Sequence, residues 1–469
     1  AHAGRVHWVT TVPDIPFVNY PMGVETLSFT LMRAFGTDRL LDAGNLWYWP
    51  LGAFALVVLA GRLGASAPWR WFAGGLLIAA PVLVGQGVTG YVDGALGCAV
   101  MASLATAVLM AAGGPGSTTA RAILWGVCLG LMAGTKGLGV GFAAIQIITV
   151  AGWLAIRRRP ARSILTRLAF AMATAALIAG YWYIRATVES GNPFYPVEVR
   201  LGDRVIWAGW GLQTMMNAEM PAWLAERPAW LRPLLSWLQP DAPARGPVPT
   251  SGLGYLWIAG GLPAVALCFV LLWRDEHRRG ALVCLSALVA LHLLLHPTPW
   301  WGRFTIWVHA VGVPCLVMIL ARLGAAHQIQ WRALAVVLTL GVLVLVGYET
   351  YPALDHAQRD GRLLGRKDPY RSALAYILPE AAVDPLVQDM LAAPVLQRTP
   401  WSEIGVLVGG CLAQPPGARK IRVLPTEEPI AAAMAAAAQD MRWLIWDAKV
   451  MGTPPVRLLT EAARVSQHA

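Results

Sequence analysis

The feature that most constrains this chain is a recurrence of apolar runs, each about 20 residues long, the length a helix needs to cross the hydrocarbon core of a bilayer. Candidate spans fall near 40–62, 70–89, 91–112, 120–137, 139–156, 167–187, 253–273, 280–296, 303–323 and 331–348, about ten in all. Their ends gather aromatic residues: Trp47, Tyr48 and Trp49; Trp69 and Trp71; Tyr181, Trp182 and Tyr183; Trp300 and Trp301. Such amphipathic rings favour the headgroup layer. Only 13% of the 469 residues are charged, against 57% hydrophobic. Soluble domains carry roughly 25% charged residues, so a chain this poor in charge is solvated by lipid. The pattern predicts an all-α polytopic membrane protein.

The formal net charge is +11, and its placement argues against a nucleic-acid partner. Arg157, Arg158, Arg159, Arg162 and Arg167 share the 157–167 loop. Arg274, Arg278 and Arg279 follow the seventh span, Arg322 and Arg332 flank another loop, and Arg62 and Arg70 flank the first. Counting spans puts all of these on one side, which the positive-inside rule makes the cytoplasm. The N-terminal segment 1–39, the long 188–252 segment, the 297–302 loop and the C-terminal part then lie outside. Residue 1 lies outside with neither a signal peptide nor a span before it, which predicts an upstream span that this sequence lacks.

Within the outer segments, Val24, Leu27, Leu31 and Phe35 repeat at helical spacing and predict a short interfacial helix. The 188–252 segment is rich in Pro and Trp and has no spanning run; connections this long are usually functional or disordered. After residue 348 the composition changes. Gly405–Gly410, Ile421–Leu424 and Trp443–Trp446 read as strands and 427–440 as a helix, which predicts a small extracytoplasmic α/β domain over 349–469 beside a transmembrane domain over 1–348. The six cysteines form no CxxC pair, so they read as small buried residues. His292 and His296 share a helix face, with His309 on the next span. That spacing suits a metal or haem, but no acidic residue accompanies them in HLLLHP (292–297), and packed histidines are the plainer reading.

The same topology gathers unusual polar residues at the outer boundary. Asp93 lies in GYVDGALG (90–97) and Lys136 in GTKGLG (134–139). Glu189, Asn192 and Tyr195 lie in YWYIRATVESGNPFYP (181–196), and Arg303 in PWWGRF (299–304). Ionisable groups near membrane depth are costly and tend to face cavities or one another. Two cations and an acid on one face suggest a pocket for an anion, such as a phosphate at headgroup level. Snorkelling of Lys136 and Arg303 to lipid headgroups is the bland alternative; Asp93 has too short a side chain for it. There is no Walker motif, GxSxG or HExxH.

Together with NYPMGVETL (19–27), these segments, in this order over residues 19–320, resemble the GT-C superfamily of membrane glycosyltransferases. The likeness is nearest to bacterial relatives of the protein O-mannosyltransferases and of the aminoarabinose transferase of lipid A. The resemblance implies a multi-pass enzyme of the bacterial plasma membrane and cell envelope. It would move a sugar from a polyprenyl-phosphate donor to an extracytoplasmic acceptor, a glycan, lipid or protein. Lys136 and Arg303 would bind the lipid phosphate. Asp93 would be a catalytic acid that orients the acceptor or holds a divalent metal ion, and Glu25, Glu189, Asn192 and Tyr195 would be loop contacts. The superfamily's first-loop acid is not matched: Asp14 and Glu25 are the acids available, and neither stands at the expected position. Two other classes compete, a non-catalytic scaffold subunit and a lipid-linked sugar transporter. The few intramembrane charges on the cytoplasmic half count against transport.

Overall fold

The computed structural model describes residues 21–35, 43–87, 91–113, 117–195, 197–209, 220, 222–239, 252–359, 395–398, 421–423 and 443–446. Contacts divide the chain into two compact units. One comprises Asn19–Ala34 and Leu40–His356; the other comprises Ala1–Val18, Phe35–Arg39 and Ala357–Ala469. In the second unit, β3 (Val395–Arg398) pairs in parallel with β4 (Ile421–Val423) on one side and β5 (Trp443–Trp446) on the other. Two of these strands fall where sequence patterning put them, and β3 was not anticipated. The expected strand 405–410 and helix 427–440 lie outside the described residues, as do the upstream-span expectation and Asp14.

The first unit is a helical bundle. Its elements are α1 (Gly23–Phe35), α2 (Ala43–Leu46), α3 (Trp49–Leu63), α4 (Ala67–Ile78), α5 (Pro81–Gly87), α6 (Asp93–Ala112), α7 (Thr118–Thr135), α8 (Leu138–Ile156) and α9 (Ala161–Ser190). After a hairpin of β1 (Val199–Leu201) and β2 (Arg204–Trp207) come α10 (Ala222–Ala225), α11 (Arg232–Trp237), α12 (Leu262–Leu271), α13 (Glu276–Leu295), α14 (His309–Gly324) and α15 (Ile329–Arg359). Local chemistry sets several boundaries. Ser117 caps α7 by accepting Ala120 N–H at 3.1 Å, and Asp275 caps α13 by accepting Arg278 N–H at 3.1 Å. Gly64 and Gly191 end α3 and α9 in the left-handed conformation, at φ 103° and 70°.

Seven helical segments among the described residues are long and apolar enough to cross a membrane, or eight if α4 and α5 form one bent span; the chain is a multi-pass membrane protein. The expected count is about ten, and the described residues bear out the many apolar spans without fixing their number. The second expected span breaks by 54° between α4 and α5, where Pro81 cannot continue the helix ladder. The fourth, α7, is diluted by Arg121, two leading threonines and three glycines. The seventh is a shorter apolar helix, Leu256–Leu271, which opens on a π-helical turn; Tyr255, the residue just before it, donates its N–H to the buried carboxylate of Glu349 on α15. The arginine-rich loop is also shorter than expected. Arg162 and Arg167 belong to α9, and only a turn around Arg158, at φ 52°, separates it from α8.

Burial orders the helices from centre to lipid. The apolar windows of α6 and of the segment Ile306–Gly324 are each 83% buried, whereas those of α9 and α15 are 11% buried and present residues such as Leu177 and Val337 outward. The tightest seam joins α7 to α9. Gly126 and Gly130 of α7 lie so close to Ala171, Ala175 and Ile178 that a methyl group at Gly130 would come within 2.7 Å of Ile178 Cβ, and one at Gly126 would strike the Ala171 carbonyl. Small residues at four-residue intervals let backbones approach in this way, because between helices in lipid close packing replaces the hydrophobic effect as the driving force. The Tyr183 hydroxyl donates to Ala133 O at 2.7 Å and closes the Lys136 end of the seam.

Candidate functional site

Antiparallel neighbours α6 and α7 bring the start of one helix beside the end of the other. Asp93 opens α6, where the helix dipole favours a carboxylate, and Lys136 ends α7 in an extended conformation. The chain turns at once into α8, with Gly139 N–H donating to Lys136 O at 2.8 Å. Gly139 is required by that tight turn, since any Cβ there would collide with Met132 O. Lys136 Nζ donates to Asp93 Oδ1 at 2.7 Å, and Arg303 Nε lies 3.5 Å from Asp93 Oδ2. Asp93 is 2% exposed and Arg303 8%, while Lys136 is partly open. The structure thus joins the three boundary residues that the sequence placed on separate spans. They do not diverge toward separate headgroups. Two cations to one carboxylate leave a net charge of +1.

Aromatic rings wall this cluster. The Arg303 guanidinium carbon sits 4.5 Å from the ring centres of both Tyr91 and Trp301 and 4.9 Å from that of Phe304, and Lys136 Nζ sits 4.2 Å over Phe304. Cation–π attraction of this kind strengthens as water is excluded. The turn that carries Arg303 is held from above by the 188–252 segment: Ser236 Oγ donates to Trp300 O, Trp237 Nε1 donates to Thr305 Oγ1 at 3.0 Å, and Leu224 packs on Trp300 and Trp301. That long connection therefore has a visible task, to fix the Arg303 turn. Arg303 Nε itself finds no hydrogen-bond acceptor among the described residues.

The remaining anticipated residues divide. Glu25, on α1, is exposed but surrounded by protein on most sides, within electrostatic reach of Lys136 and Asp93. Desolvation by the protein around it raises its carboxyl to about 7; a backbone hydrogen bond and the Lys136 charge work against that shift, and the Asp93 charge adds to it. Tyr48 stands between, in hydrogen-bonding reach of Thr135 and electrostatic reach of Glu25. Glu189 instead accepts from Arg185 one turn earlier, at 3.1 Å. Asn192 is committed to its own loop: its amide donates to Val197 O and Ala208 O, both at 2.9 Å, and accepts Phe194 N–H at 2.8 Å. Tyr195 continues that turn, donating its backbone N–H to Asn192 O at 3.2 Å.

The histidines separate as well. His292 joins a buried network in the bundle core. Its Nδ1 is 2.6 Å from Leu288 O, so it carries the proton, and its Nε2 accepts from Gln146 Nε2 at 3.3 Å; Gln146 also donates to Ser103 and accepts from Trp125. His296 stacks on Phe304, with ring centres 6.2 Å apart, and so belongs to the Asp93–Lys136–Arg303 cluster. His309 meets Trp257 edge to face. No group of three or more His, Cys, Asp or Glu that could hold a metal ion occurs among the described residues. Asp93 is already shared by two cations.

The sequence offers His296 as a metal ligand or a packed histidine and Trp301 as an interfacial ring, and gives Tyr91 and Phe304 no role. The signal was present: His296, Trp301, Arg303 and Phe304 all fall in one short connection, HPTPWWGRF. A separate hollow of about 330 Å³ lies at the other end of α7, lined by Thr118, Arg162, Arg167 and Phe170, away from this cluster.

The sequence matches no family model, and no curated protein matches it. Among solved structures it is similar to ArnT from Cupriavidus metallidurans bound to undecaprenyl phosphate, with 15% identity, coverage of 90% of this chain and 78% of that one, and a TM-score of 0.46. It is likewise similar to ArnT from the same organism in the apo state, with 15% identity, 95% and 84% coverage, and a TM-score of 0.45. Similarity this distant establishes neither a shared fold nor a shared activity.

Proposed function

We propose that the outer end of the bundle holds the phosphate of a polyprenyl-phosphate-linked sugar, and that the protein transfers the sugar to an acceptor outside the cytoplasm. The observation that carries this reading is the Asp93–Lys136–Arg303 cluster: a net positive charge in a largely buried, aromatic-walled place, in which Arg303 Nε makes no hydrogen bond among the described residues beyond its 3.5 Å ion pair with Asp93. An oxyanion is the group that fits it, because buried donors without acceptors are rare and costly. The apolar helices α6 and α8, which start beside the cluster, suit a ligand with a lipid tail.

The chemistry follows from the geometry. The acceptor's nucleophile attacks the anomeric carbon, and the bond from that carbon to the phosphate oxygen breaks. The bonding electrons leave with the phosphate, where Lys136 and Arg303 stabilise the added charge. Both oxygens of Asp93 face cations, so Asp93 is a positioning residue in this scheme. The acceptor's proton passes to Glu25, whose carboxyl at about 7 is suited to general-base work near neutral pH.

The full-length protein in nanodiscs, titrated with undecaprenyl phosphate and followed by native mass spectrometry, tests this. Binding is expected, and Lys136→Ala should weaken it roughly 10- to 100-fold, the scale of a charge-assisted hydrogen bond. The mutual pairing of the three charges also favours a second reading, a structural ion cluster in a non-catalytic scaffold. No binding, or equal binding by wild type and Lys136→Ala, would establish that reading instead.

A further inference from the structure

Resting on the phosphate reading above, we infer that His296 is a third ligand-binding group of the site, a neutral donor that gives Nε2–H to a phosphoryl oxygen. The tautomer follows from one hydrogen bond. Thr298 N–H donates to His296 Nδ1 at 2.9 Å, so Nδ1 holds a lone pair and the proton of the neutral ring sits on Nε2. His296 is 5% exposed, and Nε2 has no partner among the described residues. A buried N–H without an acceptor in a native fold calls for an explanation.

Placement supplies one. His296 and Lys136 both lie against the Phe304 ring, and His296 is within electrostatic reach of Lys136. The short connection that contains His296 presents three more buried N–H groups without a hydrogen bond among the described residues, Trp300 Nε1, Trp301 Nε1 and Arg303 Nε, of which the last has only its 3.5 Å ion pair with Asp93, and no carboxylate of its own. His292, one helical turn earlier, shows the contrast: both of its ring nitrogens are satisfied inside the bundle. A donor that keeps its ring neutral adds no charge to the cluster. It directs the phosphate oxygen instead, fixing the lipid phosphate relative to the two cations. The ligand class is a phosphate monoester or diester oxyanion, from a lipid headgroup or from free phosphate.

The experiment again uses the full-length protein in nanodiscs, with undecaprenyl phosphate as probe and inorganic phosphate as competitor. His296→Phe keeps the stacked ring and removes the donor; His296→Gln keeps an N–H near the Nε2 position. The expected result is roughly 10-fold weaker binding for His296→Phe, substantial recovery for His296→Gln and unchanged thermal unfolding in both. In wild type, the ¹⁵N resonance of His296 Nε2 should shift on addition of the lipid while Nδ1 stays unprotonated. Displacement by inorganic phosphate would assign the site to free phosphate, and its failure to displace the lipid would assign it to the lipid-linked ester; either result is compatible with the donor role. Loss of binding in Lys136→Ala with wild-type binding in His296→Phe would leave the phosphate site standing and remove His296 from it. An Nε2 resonance that ignores the lipid would do the same without any variant, and no binding even by wild type would sink both readings together.

Discussion

The two ends of the bundle use their cations in opposite ways. At one end, arginines reach for helix C-termini: Arg70 donates to Ala65 O at 2.8 Å, Arg322 to Leu271 O at 3.2 Å, Arg279 to Trp273 O at 2.9 Å and Arg332 to Ala326 O at 2.7 Å. These contacts satisfy backbone carbonyls and suit a charge that stays wet. At the other end, Lys136 and Arg303 turn inward onto a carboxylate and aromatic rings. The first arrangement anchors helices at an interface. The second confines charge where it has few ways to relax, which is the condition under which charge recognises a ligand.

Asp93→Ala should break the comparison most severely. It leaves two inward cations without a counter-ion, a change that typically costs about 3–5 kcal/mol, and the thermal unfolding temperature in detergent should fall sharply. A small change there would mean the cations already relax outward as at the arginine end. Gly130→Leu comes next. The α7–α9 seam has no room for a side chain, and overpacking costs about 1–3 kcal/mol. Because α7 carries Lys136 at its C-terminal end, this variant should also weaken undecaprenyl phosphate binding, whereas a seam unrelated to the site would lower stability alone.

A subtler contrast concerns pH. Glu25 holds its proton up to about 7 in the fold but titrates near 4.3 in an unfolded chain. Between those values the folded state binds more protons, so stability falls as pH rises through that window. Unfolding temperatures from pH 4 to 8 should show a decline that Glu25→Gln flattens; parallel curves would refute the shift. Transfer activity should rise over the same range with a midpoint near 7, and Glu25→Gln should remove that limb. The smallest effect belongs to the arginine end. Arg157 and Glu276 pair at 3.7 Å with both side chains well exposed, and exposed pairs contribute about 0–1 kcal/mol. Arg157→Ala should shift the unfolding temperature barely at all, and added salt should erase what remains.

The bundle was legible in the sequence because span length and arginine placement follow directly from bilayer thickness and charge asymmetry. Asp93, Lys136 and Arg303 were legible as a group for the same reason: an ionisable side chain at the edge of an apolar run has few alternatives. Other features needed the third dimension. The family resemblance of GNPFYP made Asn192 a possible loop contact, but only coordinates show its amide spent on its own loop. His296 and His292 were indistinguishable at a four-residue spacing until one nitrogen was seen bonded to Thr298 and another to Gln146. The GxxxGxxxG run at Gly126, Gly130 and Gly134 was readable and went unread. The break at Pro81 was equally open to inspection, since proline inside an apolar run marks a kink.

That break has a consequence for how the protein is made. At the bend between α4 and α5, the carbonyl of Ala79 accepts a hydrogen bond from the Thr350 hydroxyl of α15. In a bilayer such a carbonyl must find a partner within the protein. The partner here is 271 residues away in sequence. At cellular synthesis rates it emerges roughly 15–50 s later. Until then the bent segment must wait in or beside the membrane with that acceptor unmet. Truncation before residue 350 should therefore leave the early helices prone to capture by quality-control proteases, even though every one of them has already been synthesised.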